Sequence, residues 1–362
     1  MIEKYLKGEE KIILSLRSLY SKYGYLPYKM NKFEEYDLYA KNKDFLICDS
    51  VITFTDSCGK LMALKPDVTL SIVKNTAGAN DLQKLYYNEN VYRVSKGSGD
   101  FREMMQVGLE CLGDIDDYCL TEVILLAARS LLAISQDAVL DISHLGLVTA
   151  LLRNAGIPEE MQPEIFKALG EKNLHELSAI CRAAKVSQEN ISLLQQVFRL
   201  SGSIGQVLPR LRELAAGQEL EQFARILEVL ESTDAAKVLR IDFSVVDNVH
   251  YYNGFVFKGF IRGIPSRILS GGQYDKLMRK MRRNCGAIGF AVYTDELERL
   301  GGTHPEYDVD TVLLYPENAP AAAIFRKTQA LMAQGLQVLA LPRLPEELRC
   351  RNIVRLEGDD LV

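Results

Sequence analysis

Four clusters of polar residues interrupt otherwise apolar stretches of the chain. They are Leu64-Lys65-Pro66-Asp67-Val68-Thr69, then Val91-Tyr92-Arg93 with Phe101-Arg102-Glu103-Met104-Met105-Gln106-Val107-Gly108-Leu109-Glu110, then Tyr251-Tyr252-Asn253-Gly254-Phe255-Val256-Phe257, and Gly271-Gly272-Gln273-Tyr274-Asp275. Asp67, Glu110 and Thr69 could hold an ammonium group through charge-assisted bonds. Gln106 and the hydroxyls of Tyr252 and Tyr274 could hydrogen-bond polar atoms of a ligand, with the tyrosine faces free to pack on a flat group. Gly271 and Gly272 would let the backbone come close to a ligand. Each residue also has a plainer reading when taken singly. Paired tyrosines are usually half-buried strand residues. An acid after proline usually starts a helix or a turn, and Gly-Gly is usually a turn.

The elements that would position these residues follow from periodicity. Ile12, Leu16, Leu19 and Tyr23 recur at helical spacing, with Gly24 placed to end the helix, which predicts a helix over 9–23. Residues 51–55 and 61–64 read as strands around the turn Asp56-Ser57-Cys58-Gly59, and 68–75 as a short helix. Strands follow over 85–94 and 104–112, joined by the loop Ser95 to Asp100. A helix is expected over 121–134 and a strand over 138–142. From 146 to 236 strand signals vanish and leucine-rich helical periods take over. Strands return at 238–243 and 251–261, then come Ile268-Leu269-Ser270-Gly271-Gly272, a helix over 274–281, a strand over 287–292 and a helix over 294–300. After the linker Gly301-Gly302-Thr303-His304-Pro305, strand, helix and strand are expected at 311–314, 321–334 and 337–341. The fold class predicted is α+β: an antiparallel sheet flanked by helices, with an inserted helical subdomain and a small C-terminal α/β module. The boundaries expected are 1–145 and 237–302 for the two parts of the core, 146–236 for the insertion and 306–362 for the module.

Composition narrows the function classes. The 362 residues have the apolar and charged fractions of a soluble globular chain, and a formal net charge of −5 argues against a large nucleic-acid footprint. The first ten residues lack an apolar h-region, and no apolar run approaches a membrane span. The seven cysteines are widely spread with no C-x-x-C pair, and the four histidines (His144, His175, His250, His304) never sit at ligand spacing. Free thiols in a reducing cytoplasm are expected, with no metal and no cofactor.

In order along roughly residues 1 to 300, the four clusters resemble the class II aminoacyl-tRNA synthetase core of the histidine type. Leu64 to Thr69 is similar to that family's L-R-P-E-G-T segment. The second cluster is similar to motif 2, with its arginine and its Q-F-G-x-E return strand. The third and fourth are similar to D-Y-Y-N-x-T-V-F and G-G-R-Y-D. The resemblance implies that Asp67, Thr69, Gln106, Glu110, Tyr252 and Tyr274, with Gly271 and Gly272, form a histidine pocket, and that Arg93 is a residual phosphate-binding position.

The departures bear on chemistry. Activating a carboxylate with ATP passes through an anionic transition state that needs fixed cations. The family's histidine-specific arginine falls on Asp247. Its motif 3 arginine falls on Glu296 in an ungapped reading, or on Arg299 in a gapped one. Ser95 stands where the family has an adenine-reading glutamate, and Asn31 stands at the motif 1 proline. Losing one oriented electrostatic group costs roughly two to three powers of ten in rate. The C-terminal stretch is shorter than the family's anticodon-binding domain, with Arg343, Arg349, Arg351 and Arg355 its basic run. A histidine-type pocket without activation chemistry resembles the regulatory-subunit family of ATP phosphoribosyltransferase. That resemblance implies a non-catalytic chain that dimerises within a hetero-oligomer, pairs with the short-form catalytic subunit, responds to histidine and does not engage tRNA. The alternatives are an active histidyl-tRNA synthetase and a synthetase-derived tRNA or histidine sensor.

Overall fold

A computed structural model of the chain describes residues 6, 8–46, 50–76, 81–95, 99–246, 249, 251–295, 297 and 307–357. Asp247, Glu296, Arg299, Cys48, His250, His304 and the linker 301–305 lie outside the described residues. The chain divides into two compact units, 1–300 and 301–362.

The first unit opens with α1 (Gly8–Lys22), which buries Leu16 and Tyr20. The Tyr20 hydroxyl meets Ser130 Oγ at 2.9 Å. Gly24 takes the left-handed backbone (φ +80°) that glycine adopts without strain, and the Tyr25 N–H bonds back to the Tyr20 carbonyl. There follow β1 (Leu26–Pro27), β2 (Phe33–Glu35), α2 (Tyr36–Ala40), β3 (Thr53–Thr55), β4 (Leu61–Leu64), α3 (Thr69–Asn75), β5 (Gln83–Val94), β6 (Phe101–Gly113), α4 (Asp117–Ile134) and β7 (Ala138–His144). The β3–β4 turn forms as its residues dictate. Asp56 Oδ1 accepts the N–H groups of Cys58 and Lys60, both at 2.8 Å, and Gly59 has φ +80°.

Next come α5 (Leu145–Asn154), α6 (Gln162–Gly170), α7 (Leu174–Ala183), α8 (Gln188–Arg199), β8 (Ser201–Ser203), α9 (Ile204–Leu214) and α10 (Gln218–Glu231). The unit closes with β9 (Leu239–Asp242), β10 (Phe255–Ile261), β11 (Leu269–Gln273), α11 (Asp275–Lys280) and β12 (Gly286–Tyr293). One nine-stranded sheet runs in the order β1-β5-β6-β12-β11-β10-β7-β9-β8, and β2-β4-β3 form a small second sheet. One face of the large sheet shares a continuous core with α1, α4 and the helices α5 to α10. Beneath the other face, α3 and α11 pack with Tyr87, Val91, Tyr251 and Tyr274. No helix among the described residues is long and apolar enough to cross a membrane.

The structure corrects the sequence expectations at several points. The large sheet is mixed: β1 pairs parallel with β5, and β7 with β9. A parallel pair needs a long crossover, which the helical segment between β7 and β9 supplies. That segment also carries β8, whose Ser-Gly-Ser sequence has no apolar signal. Tyr251 and Tyr252 precede β10 as a turn, and are not part of a strand.

The second unit is β13 (Val309–Leu314), α12 (Ala321–Ala333), β14 (Val338–Leu341) and β15 (Cys350–Arg355), a parallel sheet in the order β14-β13-β15. Strand β15 was not anticipated, because its arginines hide the alternation. Arg343 pairs with Glu317 at 2.7 Å and Arg349 with Asp308 at 2.9 Å, while Arg351 lies over the Tyr307 ring. Three of the four arginines in the basic run therefore have partners inside the unit.

His144 links a strand to the helix that follows it. It ends β7 and caps α5, its Nδ1 accepting the Leu147 N–H at 3.0 Å, with the ring edge-on to Phe255. Burial lowers its pKa to about 4. The folded chain therefore binds fewer protons here than the unfolded one, so this stability is present above about pH 6.5 and is lost as pH falls toward 4. The expected loss is roughly 3 kcal/mol over that window. Melting curves of wild type and His144→Asn, which keeps a capping side chain, should show a flatter acid limb in the variant. Equal limbs would remove His144 as the cause.

Candidate functional site

The site lies at the middle of the large sheet, where glycines make room for acids and rings. Glu110 on β6 stands opposite Gly289 on β12. A Cβ on Gly289 would lie 1.7 Å from Glu110 Oε2. Glu110 is buried (2% exposed), and so are Asp67, Gln106 and Tyr274. The Thr69 hydroxyl, at the first residue of α3, donates to Glu110 Oε1 at 2.7 Å. The Tyr274 hydroxyl, just before α11, donates to Oε2 at 2.5 Å. Asp67 Oδ1 accepts the Leu70 N–H at 2.9 Å, which fixes the start of α3.

Asp67, Thr69, Gln106, Glu110, Tyr252 and Tyr274 line one cavity, together with Val68, Tyr87, Tyr251, Ser270, Gly289, Phe290, Ala291 and Tyr293. Its free space is about 20 Å³, near what one water needs. Gln106 Nε2 is buried with no partner. A buried donor without an acceptor is costly, so this amide is an open position for a ligand acceptor. Burial pushes the Glu110 carboxyl up to about 8, partly opposed by the Tyr274 and Thr69 hydroxyls and reinforced by Asp67. Burial also raises Asp67, against the Leu70 N–H and the Arg93 charge. The tyrosines 87, 251, 252 and 274 are all raised by burial and stay neutral.

Gly271 and Gly272 do not line the cavity. The space above Gly272 is taken by the Tyr252 ring, with Cδ1 2.8 Å from where a Cβ would be. A Cβ on Gly271 would meet the Gly289 carbonyl, the Phe290 Cβ and the Phe257 ring. Both glycines sit against backbone carbonyls and the protein's own side chains. Arg93 also stands outside the lining. Its Nε donates to the Pro66 carbonyl at 2.9 Å, and its Nη2 is buried without a partner.

The sequence reading gave no ligand role to Tyr87, Tyr251, Ser270 or Tyr293. Tyr87 pairs across strands with Gly108, where a Cβ would sit 2.5 Å from its hydroxyl. A glycine opposite a tyrosine is the signal that could have found it. The role of Asp275 was also hidden. Its Oδ2 accepts Asn253 Nδ2 at 3.0 Å and Gln273 Nε2 at 2.8 Å, and its Oδ1 accepts the Ala287 N–H at 3.0 Å. It ties the Tyr251-Tyr252 turn to β11 and β12, and so holds the rings over the cavity. Among the described residues no group of His, Cys, Asp and Glu is placed to hold a metal ion.

Comparison with known proteins bears on the family and the fold. The family model described as histidyl-tRNA synthetase matches residues 2–297. A Clostridium kluyveri protein named ATP phosphoribosyltransferase regulatory subunit is 26% identical over 352 residues, covering 93% of this chain and 90% of that protein. A Bacillus halodurans crystal structure, described as an ATP phosphoribosyltransferase regulatory subunit/histidyl-tRNA synthetase, superposes with a TM-score of 0.80 at 24% identity. It covers 97% of this chain and 94% of that one. A chain from an ATP phosphoribosyl transferase (HisG:HisZ) complex of Thermotoga maritima gives a TM-score of 0.61 at 18% identity, with 78% of this chain and 96% of that one covered. With the model spanning nearly all of the first unit and the four clusters meeting at one cavity, the chain belongs to the histidyl-tRNA synthetase family.

Proposed function

We propose that the chain is a non-catalytic regulatory subunit of ATP phosphoribosyltransferase, that it assembles with the catalytic subunit in a hetero-oligomer, and that its cavity takes histidine as the feedback signal. The observation that carries this reading is the make-up of the cavity. It keeps two acids, an open amide and a wall of tyrosines, yet among the described residues its lining holds no Lys, Arg or His. Those side chains suit an ammonium group and a ring. Holding ATP for carboxylate activation would need cations aimed at the phosphates. In sequence, Asp247 stands where the family has one of those arginines.

The length and name of the Clostridium kluyveri relative support the same reading, as does the Thermotoga maritima complex. The described cysteines are all unpaired, which suits a cytoplasmic protein. The test is to co-purify the chain with the catalytic subunit of the same genome and to assay phosphoribosyl-ATP formation with and without histidine. Activity that needs both chains and falls as histidine is added is the expected result. If the chain alone drives histidine-dependent pyrophosphate exchange with ATP, it is a synthetase and the proposal fails.

A further inference from the structure

Glu110 is buried among neutral and acidic groups, and the Thr69 and Tyr274 hydroxyls offset only part of the cost of its charge. Asp67 and Thr69 face it from the start of α3, Tyr87 from β5, Gly289 and Phe290 from β12, Tyr251 and Tyr252 from the turn before β10, and Tyr274 from the start of α11. None of these is a cation. The nearby Arg93 acts on Asp67, and its own Nε is taken by the Pro66 carbonyl. A buried carboxylate with no cation is expensive, and two buried acids side by side do not both ionise cheaply. The 2.5 Å contact between Glu110 Oε2 and the Tyr274 hydroxyl serves a neutral acid as well, with the carboxyl O–H donating to the phenol.

The cavity is also too small to admit a ligand without change. About 20 Å³ holds a water, not an amino acid. An entering ammonium group must therefore rearrange the lining and either share Glu110 with the Thr69 and Tyr274 hydroxyls or displace them. Taking the cavity as the histidine pocket, we propose that Glu110 is protonated in the empty site and gives that proton to solvent when the ligand's ammonium group arrives, so that ligand capture is coupled to proton release. The step is balanced. The carboxyl O–H bond breaks, the proton leaves to water, and the carboxylate left behind forms an ion pair with the ammonium, whose own protons stay in place.

Burial places the Glu110 carboxyl at about 8, so the coupling operates through neutral pH. Below about pH 8, ligand affinity falls roughly tenfold per pH unit while the ligand keeps its charge.

Two measurements on the full-length chain test this, using Glu110→Gln as a neutral isostere that keeps an acceptor for Thr69. Without ligand, a carboxyl raised by folding loses its stabilising effect as pH climbs from its unfolded value to its folded one. The melting temperature of wild type should therefore drop relative to the variant from about pH 5 to about pH 8, then run parallel to it. Parallel behaviour from about pH 5 upward overturns the proposal. With L-histidine, calorimetry near pH 7 in phosphate and in Tris should report about one proton released per ligand by wild type and none by Glu110→Gln. Binding by wild type with equal heats in both buffers, once corrected, also overturns it. If millimolar histidine gives no binding heat at all, the pocket reading falls and the coupling with it. The melting comparison then still shows whether Glu110 was protonated.

Discussion

Replacing Gly289 with alanine should destabilise the chain by roughly 3 kcal/mol or more, the reverse of what alanine usually does inside a strand. The added methyl would lie 1.7 Å from Glu110 Oε2 and 2.5 Å from the Leu109 carbonyl. Glu110 cannot swing aside cheaply, since Thr69 and Tyr274 hold its two oxygens. Nor can the Leu109 carbonyl yield, because it belongs to β6, which pairs with β12 along eight residues from Gly286 to Tyr293. The neighbouring strands are equally tight, with a Cβ on Gly271 2.4 Å from the Gly289 carbonyl and one on Gly108 2.2 Å from the Phe290 carbonyl. Relief would require β12 to part from β6 at the centre of the sheet. Gly8→Ala is the matched control, because nothing lies within 4 Å of its added methyl and it opens α1 with no positive φ. Denaturant titrations should show a large loss for Gly289→Ala and little change for Gly8→Ala. A loss under about 1 kcal/mol for Gly289→Ala would mean that Glu110 is not held against β12 as described.

Local signals were legible in the sequence where one residue type does one job. The helix ended by Gly24 and the turn at Asp56 to Gly59 fall into this class, since each follows from backbone freedom or a short side-chain bond. Strands β8 and β15 escaped notice for different reasons. Ser201-Gly202-Ser203 has nothing to bury, and Arg351 and Arg355 break the alternation that marks a strand. Tyr251-Tyr252 misled because aromatic residues favour strands only as surfaces that pack. Here the two rings pack on each other at 4.7 Å, and Tyr251 packs on Tyr274 at 5.6 Å, from a turn.

The site shows the same division. Polar residues in apolar stretches drew attention to Asp67, Thr69, Gln106, Glu110, Tyr252 and Tyr274, but it was the family resemblance that gathered them into one pocket, and all six line the cavity. What sequence could not give is the direction in which the glycines work. Gly271 and Gly272 were expected to face a ligand, but which partner fills the space over a glycine depends on the register of strands far apart in the chain. The bridging role of Asp275 was hidden for a related reason, since its three partners come from positions 253, 273 and 287.

With the cavity as the proposed histidine sensor, Asp67→Asn should raise the histidine concentration that half-inhibits the assembled phosphoribosyltransferase by about 30-fold or more. The substitution keeps an oxygen for the Leu70 N–H, so α3 should start as before. What it removes is the charge available to a ligand ammonium in a buried place. Hydrogen bonds to charged groups contribute roughly 1.5–3 kcal/mol, and a cation left facing a neutral amide loses more than one facing water. About 2 kcal/mol at this position corresponds to the 30-fold shift. Asp67 matters in a way Glu110 does not. The Arg93 charge and two backbone N–H groups favour its ionised form, whereas no cation does this for Glu110. If one of the two acids carries the charge before the ligand arrives, it is Asp67. The measurement is phosphoribosyl-ATP formation by the two-subunit complex over a histidine series, each variant normalised to its own rate without histidine. Circular dichroism and melting would confirm that the variant folds. An unchanged half-inhibitory concentration in a folded Asp67→Asn complex would place the regulatory histidine elsewhere, at a subunit interface, and would leave this cavity as a relic of the synthetase fold.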